Sequence, residues 1–131
     1  MRKLWRRLVG DRRATGDRGE RYAARWLRRR GYRILARNLT LGDDEADLVA
    51  LDPDGVTVVI VEVKTRMSES PPPEEQIDGR KRFRLARLAA RLQRSGEYEG
   101  RPFRFDAVAI VWPDPGRPEV RHYVGAFDSP F

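Results

Sequence analysis

The stretch from residue 47 to residue 66, DLVALDPDGVTVVIVEVKTR, constrains the fold of this chain more than any other. Two apolar runs flank DPDG at 52–55, a sequence typical of a tight turn between antiparallel strands. The second run is apolar at nearly every position, which predicts a central strand covered on both faces. The rest of the chain must therefore supply elements that pack on both sides of a sheet.

Two helices are predicted from apolar residues that recur at helical spacing. The first spans about 15–31, with Thr15 or Asp17 as its cap and Gly31 as its end. The second spans about 78–95, with Asp78 as its cap and Gly96 as its stop.

Further strands are predicted at YRILARN (32–38) and FRFDAVAIVW (103–112), with a short fifth strand in PEVRHYVG (118–125). The resulting order is α-β-β-β-α-β plus the short strand. It predicts an α/β fold in which helices flank a mixed central β-sheet.

The 131 residues fit a basic N-terminal arm (1–14) and a single domain (15–131). There is no cysteine, so disulfides and thiolate zinc sites are excluded. No apolar run approaches the ~20 residues of a membrane span, and no signal-peptide pattern is present. We therefore expect a cytoplasmic protein.

The net charge of +7 and the pI near 10.5 favour binding to polyanions. Nucleic acid is the first choice and an acidic membrane surface the second. Of the 27 lysines and arginines, all but Lys3, Lys64 and Lys81 are arginines, a bias that codon usage alone can produce. Charge alone thus leaves the partner open.

Three charged residues interrupt the apolar hairpin. Asp47 opens its first run, and Glu62 and Lys64 end the second. Residues two apart on a strand share a face, and the turn brings Asp47 alongside them. Carboxylate oxygens are the ligands that Mg²⁺ or Mn²⁺ prefers, and a nearby lysine can position water or balance charge on a phosphate. The pattern predicts a metal site, whereas an ordinary ion pair at a strand end is the alternative.

The D-x14-E-x-K spacing resembles the restriction-endonuclease-like nucleases, the PD-(D/E)xK group. The chain is similar above all to the YraN family of uncharacterised bacterial proteins. The matching segments are 16–38, 45–51 (EADLVAL), 61–66 (VEVKTR), Lys81, 104–108 (RFDAV) and 126–127. The resemblance implies a restriction-endonuclease-like core.

The resemblance also implies roles for individual residues. Asp47, Glu62 and Lys64 become the catalytic triad, with Asp47, Glu62 and the Val63 carbonyl as metal ligands. Glu20 is a further candidate acid, although a glutamate in a first helical turn also favours the helix dipole.

Some candidates near this site stay open. Gln76 is a weaker candidate for site or phosphate contacts. The family usually has glycine where this chain has Asp44 and a larger aliphatic residue at Ala46, so a metal contact by Asp44 or Glu45 is unresolved.

The second helix carries basic residues of one sign over most of its length, which favours phosphate binding. A solvated, arginine-rich helix is the alternative. The expected nucleic-acid contacts are Arg80, Lys81, Arg84, Arg87 and Arg91. His122 cannot form a histidine metal cluster and is expected to be structural. Trp112 is expected in the core or at a partner surface rather than in a stacking platform for bases, since no aromatic cluster coincides with the basic helix.

We therefore predict a nuclease that uses Mg²⁺ or Mn²⁺ to hydrolyse phosphodiester bonds, with DNA favoured over RNA. Homodimers are common among nucleases that cut both strands, but no residue here identifies a dimer face. One alternative is a non-catalytic nucleic-acid-binding accessory protein of repair or recombination. Another is a module that docks on a membrane surface or a protein.

Overall fold

The computed structural model describes residues 14–68 and 78–129, with side chains from residue 17 onward. The predicted basic arm lies outside the described residues except for residue 14, and Gln76 lies outside them as well. The elements are α1 (Ala14–Arg29), β1 (Arg33–Leu41), β2 (Asp44–Leu51), β3 (Val58–Arg66), α2 (Gly79–Gln93), a 3-10 turn (Gly96–Tyr98), β4 (Phe103–Val111) and β5 (Glu119–Tyr123). The predicted α/β order with a short fifth strand is confirmed.

The five strands form one sheet whose spatial order follows the chain: β1-β2-β3-β4-β5. Neighbouring strands are antiparallel except for β3 and β4, which are parallel and joined through α2. The sheet is therefore mixed, and β3 is its middle strand. This arrangement is consistent with a nuclease-like α/β core.

The side chains of β3 alternate between two hydrophobic clusters on opposite faces of the sheet. Val58 and Ile60 pack in the cluster that contains the buried leucines of α2. Val59 and Val61 pack in the cluster that contains Leu27 of α1. The prediction that this strand is covered on both faces is confirmed, and the alternation sets which face Glu62 joins.

The predicted tight turn between β2 and β3 is present and is held by Asp54. Its carboxylate accepts hydrogen bonds from the backbone N–H groups of Val56 at 2.7 Å and Thr57 at 2.9 Å. Gly55 has φ +76°, a left-handed conformation that glycine adopts without a Cβ penalty. The two strands therefore pair antiparallel directly after the turn.

The end of α1 agrees with the prediction, but its start does not. The helix begins at Ala14, so neither Thr15 nor Asp17 is its cap. Asp17 lies in the first turn, where it pairs with Arg21 at 3.0 Å and Arg37 at 2.9 Å. Gly31 follows the helix with φ +93°.

The cap of α2 is confirmed, because Asp78 accepts a hydrogen bond from Lys81 N at 2.9 Å. Gly96 does not stop this helix, which ends at Gln93; Gly96 instead begins the 3-10 turn. No helix within the described ranges is long and apolar enough to cross a membrane.

Candidate functional site

The site forms where the β2–β3 hairpin opens. Backbone pairing ends at Leu48 and Val61, and one step further the Asp47 Oδ2 accepts a hydrogen bond from Val63 N at 2.8 Å. A continued ladder would place Ala46 opposite Val63, so the carboxylate replaces a backbone acceptor. The N–H and C=O of one strand residue point to the same side, and the Val63 carbonyl therefore faces the opening too.

Glu62 continues the alternation of β3 toward the α2 face, where two lysines meet it. Lys81 Nζ lies 3.1 Å from Glu62 Oε2, and Lys64 Nζ lies 3.7 Å from the same oxygen. The side chain of Glu62 is only 2% exposed. Its other oxygen, Oε1, is buried and has no hydrogen-bond partner in the part of the chain that the structure describes. A buried carboxylate oxygen of this kind is stabilised by a cation or a water molecule.

Glu20 reaches the site from α1. It is buried, and its carboxyl group is hydrogen-bonded to that of Asp47. The helix can approach the end of β3 because Gly19 has no side chain, since a Cβ at this position would collide with the side chain of Thr65. Because α1 begins at Ala14, Glu20 lies beyond the first turn, whose acidic residue is Asp17, so the alternative role for Glu20 at the helix dipole is wrong. Its contacts are those of the site.

The electrostatics of the site follow from packing carboxylates together with few charges to offset them. Burial, followed by repulsion from Asp47, raises the pKa of Glu62 to about 8, although Lys81 and Lys64 act in the opposite direction. Burial, repulsion from Asp47 and the hydrogen bond to it raise the pKa of Glu20 to about 8. Burial lowers the pKa of Lys81, but Glu62 and Asp47 outweigh burial, so its net pKa is raised. The site therefore favours added positive charge or retained protons.

The two additional acids have different surroundings. Asp44 is buried and accepts two hydrogen bonds from Arg87, each of 2.7 Å, which hold its pKa below the ordinary value. Both oxygens of the Asp44 carboxylate are therefore bound by an arginine, rather than left for the metal contact that the sequence analysis kept open. Glu45 lies close enough to Lys81 to raise its pKa, and its buried Oε2 has no hydrogen-bond partner among the described residues.

The basic residues of α2 do not form a uniform surface for phosphates. Arg87 is tied to Asp44, and Arg91 Nη1 donates to the carbonyl of Leu41 at 2.7 Å. Lys81 is paired with Glu62. Arg80 and Arg84 are exposed on the same helix. Part of the charged face of α2 therefore holds the helix to the sheet. The uniformly positive charge of the helix sequence did not indicate this role.

Metal binding at this site would use few protein ligands. In the described residues, no three Asp, Glu, His or Cys side chains are grouped so as to hold a metal ion by themselves. Asp47, Glu62 and the Val63 carbonyl instead form a partial set. Mg²⁺ suits such a set because it keeps several water ligands and is commonly bound by one or two carboxylates. The orphaned Glu62 Oε1 also fits a cation.

His122 belongs to a separate, buried network, as a structural histidine would. Its Nε2 lies 2.8 Å from Asp106 Oδ2, and Asp106 also accepts hydrogen bonds from Arg104 and from Gly125 N. Burial opposes ionisation, but these hydrogen bonds lower the net pKa of Asp106. The network ties β4 to β5, and its signal in the sequence is the pair Arg104 and Asp106 within a strand whose other residues are apolar.

These observations define a mixed α/β protein with a buried acidic site, flanked by lysines, at the end of its central strand. Comparison with known proteins places it more closely. The model of the uncharacterised protein family UPF0102 matches residues 19–110, and the chain belongs to this family, which is the YraN family. The resemblance to the YraN family noted from the sequence is thereby confirmed.

Several relatives match over most of their length. A UPF0102 protein of Moorella thermoacetica is 48% identical over 108 residues, covering 82% of this chain and 88% of its own. One of Symbiobacterium thermophilum is 43% identical, with 89% and 98% covered. One of Pelobacter propionicus is 38% identical, with 90% and 85% covered.

Proposed function

We propose that this protein is a divalent-metal-dependent nuclease that hydrolyses phosphodiester bonds in DNA or structured nucleic acid. The observation that carries the proposal is the meeting of Asp47 and Glu62 beside Lys64 at the open end of the hairpin, with one Glu62 oxygen buried and unpaired among the described residues. Placing such charges together costs several kcal/mol unless they are compensated. A cation and a polyanionic substrate supply that compensation.

Asp47, Glu62 and the Val63 carbonyl would hold Mg²⁺ or Mn²⁺. When bound, the ion supplies Lewis-acid chemistry: it lowers the pKa of a water molecule and stabilises charge at the phosphate. The backbone N–H of Val63 keeps the Asp47 carboxylate in a fixed orientation. Glu20 does the same through its hydrogen bond to Asp47 while it retains its proton.

The two lysines would divide the remaining work. Lys64 is partly exposed and is the more weakly held to Glu62, so its ammonium can turn toward an attacking water or the phosphate. Lys81 is closer to Glu62 and is assigned to neutralising and orienting that carboxylate. The exposed Arg80 and Arg84, together with the net charge of +7, would attract the nucleic-acid backbone.

A second candidate function is supported by the same contacts. Glu62 already pairs with Lys81 and Lys64, and Asp47 already accepts from Val63, so the acids also serve structural roles without a metal. This favours a non-catalytic accessory protein of DNA repair or recombination that binds nucleic acid through a nuclease-like fold. Fold does not fix function, so activity must be measured directly.

The deciding experiment incubates the protein with single-stranded, duplex, flapped and four-way-junction DNA in Mg²⁺, Mn²⁺ or chelator. Cleavage that requires the metal and disappears in Asp47→Asn supports the nuclease. Tight binding without cleavage under every condition supports the accessory protein. The variant is purified side by side with the wild type, because a contaminating nuclease would cut equally in both samples.

A further inference from the structure

A cleft with a volume of about 540 Å³ lies beside the carboxyl ends of the parallel strands β3 and β4. Thr65 and Arg66 line it from the end of β3, Trp112 from just after β4, and Arg18 from α1. Trp112 N donates to the Arg66 carbonyl at 2.7 Å. The backbone hydrogen bonds that pair β3 with β4 therefore also fix the positions of these two wall residues. The volume lies within the range typical of ligand pockets.

The cleft presents the guanidinium of Arg18 in a form suited to an anion, and a second arginine, Arg66, also lines it. The Arg18 guanidinium stacks over the Trp112 ring, 3.8 Å from its centre. The stacking fixes the plane of the group and leaves the N–H donors at its edge available for hydrogen bonds. Within the described residues neither Arg18 nor Arg66 forms an ion pair with a carboxylate. Arginines so placed match the oxygens of a phosphate group.

We infer that this cleft binds one nucleotide of a nucleic-acid strand whose neighbouring phosphodiester bond lies at Asp47, Glu62 and Lys64. The identity of the ligand as a nucleic-acid strand rests on the proposed function. Arg66 follows Lys64 by two residues, about 7 Å along an extended strand and on the same face, so it connects the cleft, which α1 borders, to the acidic site at the end of β3. Arg18 and Arg66 bind the phosphate, and the half-buried Trp112 contacts the sugar or base.

Asp114 also lines the cleft and selects among phosphates. Its carboxylate repels anions, and a terminal phosphate group carries about −1.5 to −2 charge near pH 7, whereas a phosphodiester carries one negative charge. The interior of a strand is therefore favoured over a free nucleotide or inorganic phosphate. The cleft lies on the α1 side of the sheet. Trp112, which was expected from the sequence in the core or at a partner surface, forms part of its wall.

The test compares two double variants that lose equal charge. Arg18→Gln/Arg66→Gln alters the cleft, whereas Arg28→Gln/Arg29→Gln removes two exposed arginines from the other end of α1. Binding of a dye-labelled single-stranded DNA of about 12 nucleotides, within the span that such strand-binding sites cover, is followed by fluorescence anisotropy in chelator, so that no cleavage intervenes. Circular dichroism and the thermal midpoint establish that all the proteins are folded.

We expect the cleft variant to bind at least about tenfold more weakly, since a hydrogen bond to a charged group is typically worth that factor or more. The salt dependence should also become shallower, by about 0.7 in log–log slope for each phosphate that the variant no longer neutralises. The control variant should change affinity much less than the cleft variant does. Deoxyadenosine monophosphate and inorganic phosphate, added as competitors, should displace the strand only at far higher concentration.

Equal weakening in both double variants would show that only bulk charge matters and would overturn the inference. So would wild-type protein that binds no strand, or that binds vesicles of anionic lipid through Arg18 and Arg66 instead. Failure of the cleft inference can be distinguished from failure of the proposed nuclease function. Cleft-dependent binding without cleavage in Mn²⁺ overturns the nuclease alone, and cleavage that the cleft substitutions leave unchanged in rate and KM overturns the cleft alone.

Discussion

Lys81 Nζ lies closer to Glu62 Oε2 than Lys64 Nζ does, at 3.1 Å against 3.7 Å, and the nearer lysine comes from α2 rather than from the E-x-K pattern of β3. The carboxylate at the end of the central strand is thus held mainly by a helix that follows it in the chain. Lys64, the lysine of the E-x-K pattern, is held more weakly by Glu62. This division of labour has consequences that can be measured.

Lys81→Met should raise the pKa of Glu62 further above its present value of about 8, because the closest opposing cation is lost. Lys64→Met should raise it less, since that ammonium is more distant from the carboxylate. Carboxyl carbon chemical shifts measured by NMR against pH in metal-free protein report both changes. An equal shift in the two variants would contradict the assignment of Lys81 as the main partner.

Lys64→Ala should slow cleavage by about 10²–10⁴-fold while leaving DNA affinity in chelator little changed, as expected for a group that acts on the water or the phosphate charge. Asp47→Asn should weaken divalent-ion affinity as well as cleavage. Single-turnover kinetics and metal titration by calorimetry separate the two effects. A Lys64→Ala protein that cleaves at the wild-type rate would show that the activity comes from elsewhere.

Metal-free protein should lose stability as the pH rises from about 5 to about 8. Glu20 and Glu62 ionise near 4.5 when unfolded but keep their protons to about pH 8 when folded, so the folded state binds more protons across this window. Each retained proton contributes a slope of about −1.4 kcal/mol per pH unit to the free energy of unfolding. The contribution is complete below the unfolded pKa and disappears as the pH passes the folded pKa.

Urea denaturation in chelator, followed across this pH window, measures the slope. Glu20→Gln and Glu62→Gln should each flatten it, since an amide does not titrate. Addition of Mg²⁺ at the alkaline end of the window should restore stability if the ion binds the folded site. A slope that is unchanged in both variants would remove these two groups as its source.

Arg87→Gln should lower the free energy of unfolding, because it leaves the buried Asp44 carboxylate without the guanidinium that satisfies it. Arg84→Gln, on the same helix but exposed, should leave the fold unchanged and weaken DNA binding instead. Urea denaturation and DNA binding are measured on both variants. Loss of DNA affinity without loss of stability in Arg87→Gln would return that residue to the phosphate-binding surface.

Gly19→Ala should destabilise the protein by about 1–3 kcal/mol even though alanine favours helices, because the new Cβ collides with the side chain of Thr65. Thr65→Gly in the same chain should recover part of the loss by removing the obstacle. The control is Gly79→Ala, at the start of α2, where an added Cβ meets no atom within 4 Å. If Gly19→Ala and Gly79→Ala are equally stable, α1 does not need this close approach.

Most of the fold could be predicted from the sequence because its signals are local. The apolar run of β3, the DPDG turn and the Asp78 cap each determine the structure of a few neighbouring residues. The predicted start of α1 was wrong. Asp17 has a side chain typical of a helix cap, but its carboxylate instead accepts a hydrogen bond from Arg37, which follows it by 20 residues. A contact at that distance leaves no pattern in the local sequence.

The candidate site divides in the same way. Strand alternation was enough to put Glu62 and Lys64 on one face, and that pair lies together. The pairing of Asp44 with Arg87 could not be predicted, because it depends on where α2 crosses the sheet. The stacking of Arg18 on Trp112 joins residues from opposite ends of the chain. Neither sequence segment on its own contains a pattern that predicts this contact.

The spatial order of the strands, which repeats their order in the chain, also determines when the site becomes complete during synthesis. Each new strand adds to an existing edge, so the growing sheet never has to open for a later segment. The β2–β3 hairpin joins Asp47 and Glu62 through contacts close in the chain, whereas Lys81 reaches them on α2, which follows in synthesis. We therefore expect an order of assembly in which the two acids approach each other before their main cation docks.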